Sequence, residues 1–318
     1  MMDFHGRLTF EDKSNDLLAV GELLVDMISN EYDDTFQSAG YTKFLGGSPS
    51  NIAINVKKLG IRSCMVSAVG EDGFGEFLVD RLRREGMELQ GIQKSRDSTS
   101  LVVVSKSKAT PTPIFYRSAD YQLAYTSTLE KALKNSKLVH FSCWPVSRIP
   151  ARHTIERVIE EARTQGTLIG FDPNYHPGIW EKGEDGVQYV KSLFSKVDII
   201  KPSEDDAERL FGKDTPSNQL EKFLELGAKL VILTLGKDGA IVSNGRETRS
   251  FETLATDIVD TTGAGDAFWS GFYAAAVKGY TVQDALNLGF AVSAFKLRYT
   301  GAVVDLPKLE VIQDYYNL

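Results

Sequence analysis

The chain has 318 residues, enough to bury a sizeable core as one large α/β domain with an accessory element, and 36 basic against 43 acidic side chains give a net charge of −7. That balance, with a pI near 5.3, excludes general attraction to nucleic acid or to an anionic membrane surface. Small anions would have to be held by local dipoles and a few placed cations.

The first sixteen residues are polar and charged, so no signal peptide is expected, and no later run is long enough to span a membrane. The first apolar run, Leu17–Val25, reads as a strand and ends at Asp26, a carboxylate placed to accept hydrogen bonds from sugar hydroxyls or to serve as an ordinary polar terminus. Gly46-Gly47-Ser48-Pro49-Ser50-Asn51 opens a helix near Asn51–Leu59, where paired glycines admit close backbone approach and Asn51 offers a donor and an acceptor. A loop with a serine cap would read the same way. A strand at Cys64–Val69 and a helix at Phe74–Glu85 follow, and the alternation resumes with strands at Leu138–Ser142, Leu168–Asp172, Val197–Ile200 and Leu230–Thr234. Helical patterns around Ala151–Thr164, Val187–Phe194 and Asp205–Leu210 separate them, as in a buried parallel sheet. Residues 27–44 and 99–117 break the alternation and predict a small antiparallel appendage beside the strand ends, where open α/β sheets bind ligands. Cys64 and Cys143 are far apart and lack metal-ligand spacing, which points to a reducing, cytoplasmic setting.

Polar groups mass at the carboxyl ends of the later strands. Asn174 and His176 follow Asp172, with a surface role the plainer alternative for the histidine. Lys201, Ser203, Glu204 and Asp206 follow Ile200; the acids make a good helix start, or hold waters of a phosphate-bound Mg²⁺. The turn from Thr234 through Gly236 to Gly239 either closes a hairpin or lies against a nucleotide. The most informative segment is Asp260–Asp266, read Asp-Thr-Thr-Gly-Ala-Gly-Asp, directly before an apolar helix. Amides of Gly263, Ala264 and Gly265 at a helix mouth would hold phosphate, and Asp266 beside it needs a task such as taking a proton from an attacking hydroxyl. No Gly-x-x-x-x-Gly-Lys-Ser/Thr loop and no zinc motif occurs.

Together these segments resemble the ribokinase-like (PfkB) family of carbohydrate kinases from about Asp16 to Pro307. The glycine-rich run at Gly46–Asn51, followed by Ala53, Asn55 and Leu59-Gly60, is similar to that family's first signature, and Asp260–Gly271 to its second. The resemblance implies a three-layer fold, a mostly parallel central sheet flanked by helices, with a β-sheet lid from residues 27–44 and 99–117 that often also forms a homodimer surface. It implies Asp266 as the base and Gly263, Ala264 and Gly265 as the anion hole. Asp26, Gly46, Gly47, Asn51, Arg117, Asn174 and His176 are then expected at the sugar. Lys201, Ser203, Thr234, Gly236 and Gly239 are expected at ATP, and Mg²⁺ at Glu204 or Asp206, since Ser203-Glu204-Asp205-Asp206 departs from the family's Asn-x-x-Glu. Potassium is expected near Asp260, Thr262 and Gly301. The lid segment Phe115–Asp120, and His176 where relatives carry arginine, favour a fructokinase that makes fructose 6-phosphate. The alternatives are 2-keto-3-deoxygluconate kinase, with Arg117 on the substrate carboxylate, and a non-catalytic sugar- or nucleotide-binding regulator on the same fold.

Overall fold

The computed structural model describes residues 2–33, 35–106 and 113–318. Its strands are β1 (Asn15–Val20), β2 (Leu24–Tyr32), β3 (Tyr41–Gly46), β4 (Ser63–Gly70), β5 (Ile92–Ser95), β6 (Leu101–Lys106), β7 (Pro113–Tyr116), β8 (Ser136–Ser142), β9 (Leu168–Asp172), β10 (Ile199–Ile200), β11 (Leu230–Thr234), β12 (Ala240–Ser243) and β13 (Thr248–Phe251). Nine of them form one sheet in the order β13-β12-β11-β10-β9-β8-β1-β4-β5. From β5 through β11 all neighbours are parallel, and only β12 and β13 turn antiparallel at the edge. The central strands carry Val, Ile, Leu and Phe buried on both faces, as a sheet covered by helices requires.

The helices are α1 (Ser48–Lys58), α2 (Gly73–Arg84), α3 (Ser127–Lys134), α4 (Cys143–Val146), α5 (Ala151–Gln165), α6 (Gly186–Leu193), α7 (Glu204–Phe211), α8 (Pro216–Glu225), α9 (Ala264–Val277), α10 (Val282–Leu297) and α11 (Leu309–Tyr315). Buried side chains of α3 to α8 share one core with one face of the sheet, and those of α1 and α9 to α11 share a second core. A smaller third core joins α1 and α2 to β1, β4 and the start of β2. Local sequence sets the ends of these helices. Asp72 caps α2 by accepting from the amides of Phe74 and Gly75, and α5 stops where Gly166 turns left-handed at φ 67°. Helix α9 is apolar all round and buried along nearly its whole length, so its first turn is fixed by the core beneath it.

Two features differ from the sequence expectation. The run Leu17–Val25 is two strands, because the chain leaves the main sheet at Gly21-Glu22-Leu23 and enters a second sheet, β3-β2-β6-β7. That lid sheet is mixed: β2 pairs antiparallel to β3 but parallel to β6, since β2 and β6 follow the carboxyl ends of β1 and β5, which run parallel in the main sheet. Within the expected lid segment 99–117, residues 107–112 lie outside the described residues. The alternating pleat turns Asp26, Val102 and Phe115, which are in register, to one face of the lid, and Met27, Val103 and Ile114 to the other.

Candidate active site

The carboxyl ends of the main strands, the inner face of the lid and the start of α9 enclose a cleft of about 500 Å³. Asp26, Gly47 and Asn51 line it from the lid and α1; Asn174, His176, Lys201, Ser203 and Asp206 from the loops after β9 and β10; and Thr262, Gly263, Ala264, Gly265 and Asp266 from the head of α9. Residues more than two hundred positions apart therefore meet in one place.

Asp266 is at the centre. Its Oδ1 accepts from Ser48 Oγ at 2.6 Å and its Oδ2 from Asn51 Nδ2 at 2.8 Å, so the head of α1 orients the carboxylate. Burial pushes its pKa up to about 6, against the two hydrogen bonds and the Lys201 charge, which hold it down. Asp26 is pushed up to about 7, by burial first and then by the Asp266 charge. With Nδ2 committed to Asp266, the Oδ1 of Asn51 is buried and has no partner among the described residues, an acceptor left for a ligand. Gly46 closes β3 against the Asp26 carboxylate rather than lining the cleft.

Gly263 starts α9 in the left-handed region at φ 74°, and the first-turn amides of the helix have no residue a turn below to accept them. The Ala264 amide is the exception, turned back onto the Thr261 carbonyl at 3.2 Å, which leaves Gly265 and Asp266 to face an anion. A Cβ on Gly265 would lie 3.1 Å from Lys201 Nζ, so this glycine makes room for a buried ammonium at the helix mouth. Lys201 is steered by an ion pair to Asp172 Oδ2 at 3.0 Å, and that oxygen also accepts from Trp269 Nε1 at 2.8 Å. Amides, a helix dipole and a fixed ammonium thus converge beside a carboxylate of raised pKa, the equipment for deprotonating a hydroxyl and stabilising a transferring anion.

A second hollow of about 320 Å³ shares Thr234, Thr261, Ala264 and Gly265 with the cleft and runs on between Leu254, Ile258, Phe268 and Phe290. Gly236 and Gly239 line it, so the Thr234–Gly239 turn faces a largely apolar slot. The two hollows meet at the head of α9.

Several expected residues are placed elsewhere or already engaged. Arg117 is buried outside the cleft and bonded to Asp120, Ser147 and the carbonyls of Ile179 and Trp144, which leaves it no free fork for a substrate carboxylate. Asp206 Oδ1 accepts from the Tyr175 amide at 2.6 Å, and its Oδ2 from the Ser203 amide and hydroxyl at 2.9 and 2.6 Å, as part of a capping box. Glu204 is exposed and does not line the cleft. Any Mg²⁺ beside Asp206 would be met through water. Asp260 and Gly301 do not line the cleft; the Gly301 amide donates to Asp260 Oδ2 at 2.7 Å.

Sequence reasoning missed several lining residues, among them Ser48 and three with charged or aromatic side chains. Glu22 is buried at the break between β1 and β2, where it accepts from the Ser48 amide at 3.2 Å and from Ser142 Oγ at 3.0 and 2.9 Å. Trp144 lines the cleft from α4, and Arg209 from α7, one of its donors going to the Tyr175 carbonyl at 2.9 Å. A lone acid within an apolar run was the available signal for Glu22; Arg209 carried none.

The sequence matches the pfkB family carbohydrate kinase profile over residues 14–309. It is 60% identical over 318 residues, covering 100% of this chain and 99% of the relative, to a protein of Thermoanaerobacterium thermosaccharolyticum named ATP-dependent 6-phosphofructokinase. It is 30% identical, with 95% of each chain covered, to 2-dehydro-3-deoxygluconokinase of Bacillus subtilis. The solved fructokinase of Halothermothrix orenii superposes with a TM-score of 0.80 at 43% identity, covering 88% of this chain and 99% of that one. Among the described residues no helix is long and apolar enough to cross a membrane.

Proposed function

The chain belongs to the pfkB family of carbohydrate kinases, and from that premise we propose that it transfers the γ-phosphoryl of ATP to the O1 hydroxyl of fructose 6-phosphate, giving fructose 1,6-bisphosphate and ADP. The observation that carries this reading is the 60% identity, over the whole of both chains, to the relative named ATP-dependent 6-phosphofructokinase.

Asp266 takes the hydroxyl proton while Ser48 and Asn51 hold its carboxylate in line. Asn51 Oδ1 and Asp26 receive ring hydroxyls, and the Gly265 and Asp266 amides with Lys201 stabilise the phosphoryl group in flight. The apolar slot along Phe268 and Leu254 suits a purine, with the phosphates led to the anion hole. Mg²⁺ bound on those phosphates would neutralise charge between them.

Fructofuranose carries a hydroxymethyl group on each side of its ring oxygen, so turning the ring over exchanges O1 and O6 beside Asp266. Fructose and fructose 6-phosphate would share most ring contacts. What separates them is a cation for the distal phosphate, and the cleft wall offers His176 and Arg209. His176 Nδ1 accepts the Gly178 amide at 3.0 Å, which leaves Nε2 as the donor, and Arg209, 4.0 Å from Asp205 Oδ2, has one hydrogen bond among the described residues, to the Tyr175 carbonyl. Burial first, then the Arg209 charge, lowers the His176 pKa; a bound phosphate would raise it again.

Fructokinase, the acceptor choice expected from the sequence, is the second reading, and the 43% identity to the H. orenii enzyme favours it. A coupled ADP-release panel with fructose 6-phosphate, fructose, 2-keto-3-deoxygluconate, ribose and adenosine separates the two. Fructose 6-phosphate should lead fructose in kcat/KM by about a hundredfold or more, the worth of two charge-assisted bonds. A preference for fructose would overturn the first reading in favour of the second. In the same assay Asp266→Asn should lower kcat by about 10²–10⁴ with KM little changed.

A further inference from the structure

Lys296 on α10 is the only charged side chain among the fully buried large residues of the described core, at 0% exposure. Its Nζ donates to the Asp260 carbonyl at 2.6 Å. The same helix end ties the loop twice more, since the Leu297 carbonyl accepts the amides of Val259 and Asp260 at 2.8 and 3.3 Å. One turn earlier, Ser293 Oγ donates to the Ala264 carbonyl at 3.0 Å. Helix α10 therefore grips the segment that ends in the anion hole.

That segment is where the family resemblance implied potassium, at Asp260, Thr262 and Gly301. The donor set does not fit one. Asp260 Oδ1 accepts the Thr262 amide at 2.9 Å, Oδ2 accepts the Gly301 amide at 2.7 Å, and its carbonyl oxygen holds the Lys296 ammonium. Each oxygen of Asp260 thus already accepts a hydrogen bond from within the chain, and the amides of Thr262 and Gly301 are the groups that point at its carboxylate. A monovalent cation beside Asp260 would add its charge to that of the buried Lys296 ammonium held on the same residue. Burial lowers the Lys296 pKa, while the carboxylates of Asp260 and Asp266 hold it up, so the loop and the candidate base both act as counter-charges.

We propose that the Lys296 ammonium is the built-in cation of the Asp260–Gly301 loop pair, doing by covalent attachment what a bound monovalent ion would do. It fixes the loop that launches α9 and supplies positive charge behind the anion hole. Lys296 is a positioning residue, and the enzyme needs no potassium.

The test measures kcat with whichever sugar acceptor turns over, in tetramethylammonium salt at constant ionic strength, as K⁺ or Na⁺ replaces it. The wild type should change by less than about twofold, and its Tm should not respond to K⁺. Lys296→Met should lose about tenfold or more in kcat and regain part of it with K⁺ but not with tetramethylammonium, with a K⁺-specific rise in Tm. Activation of the wild type by K⁺ of about tenfold or more would overturn the proposal, as would a Lys296→Met enzyme of normal kcat without K⁺. If Lys296→Met does not fold, the wild-type titration decides alone. The thermal-shift arm reads the loop whatever the acceptor is, so failure of the fructose 6-phosphate reading is distinguishable from failure here.

Discussion

Glu22 shows how a single buried acid is tied to the state of the site. It accepts from the Ser48 amide and the Ser142 hydroxyl, no cation among the described residues is bonded to it, and Asp266 is the charged group that raises its pKa. Burial is the larger cause, and together they lift it from 4.5 to about 8. At neutral pH the protonated acid can hold Ser142 and the Ser48 amide without adding a third charge to the carboxylates of Asp26 and Asp266. Because its folded pKa lies above the unfolded one, Glu22 favours folding fully below pH 4.5, and that contribution fades as pH rises through about 8. Glu22→Gln keeps the shape and cannot ionise. Its Tm should therefore rise relative to the wild type across that window, and a gap that stays constant with pH would sink the argument. Activity has its own limb: Asp266 must be ionised to accept a proton, so kcat/KM should fall as pH drops through about 6. The sequence marked Glu22 only as a lone acid in an apolar run, and its role was not legible because its partner Ser142 lies at the end of β8, 120 residues away. Asp266 was legible because its neighbours in the chain, a glycine turn and a helix start, already define its surroundings.

At the level of elements, the alternation of strand and helix in the main sheet was readable, since each buried strand is a short apolar run bounded by polar residues. The lid was readable only as an interruption. The parallel pairing of β2 with β6 joins segments about seventy-five residues apart, and nothing local encodes it. The segment Arg117–Asp120 shows the same limit: by resemblance it belonged at the substrate, yet it proves to be a clasp. Arg117 lies over the Trp144 ring at 4.5 Å and pairs with Asp120, which also accepts from Trp144 Nε1 at 2.6 Å and from Ser100. The clasp fastens the end of β7 to α4 and to the Ile179 carbonyl, fixing the lid's last strand to the body of the molecule. Arg117→Met would strand the buried Asp120 carboxylate, at a cost of about 3–5 kcal/mol in unfolding free energy. Adding Asp120→Asn should recover part of that loss, because the stranded charge is then gone. Urea denaturation of the two variants measures both, and a single-variant loss below about 1 kcal/mol would show the pair to be replaceable.

For the whole molecule the lid poses a question of surface. Its inner face, with Asp26 and Phe115, lines the cleft, while its outer face presents Met27, Leu101, Val103, Ile114 and Tyr116 around an apolar hollow of about 780 Å³. Ile114 is 40% and Tyr116 57% exposed, and Phe36 and Tyr41 extend the patch toward the β3 edge. An apolar sheet face of this kind is costly in water, and exposed patches like it are common at interaction sites. We propose a homodimer in which two lids pack face to face, each supplying the apolar rows that cover the other, as the family resemblance led one to expect. Such an arrangement would couple assembly to the sugar site, because Asp26 and Met27 are adjacent residues of one strand pointing to opposite faces. Light scattering after gel filtration should give twice the chain mass for the wild type, and Ile114→Asp, which puts a carboxylate into the apolar face of each lid, should give the monomer. KM for the sugar should rise by about tenfold in that variant, with KM for ATP little changed, since the nucleotide slot lies away from the lid. A wild-type monomer at micromolar concentration would refute the assembly, and a monomeric variant with unaltered sugar KM would refute the coupling.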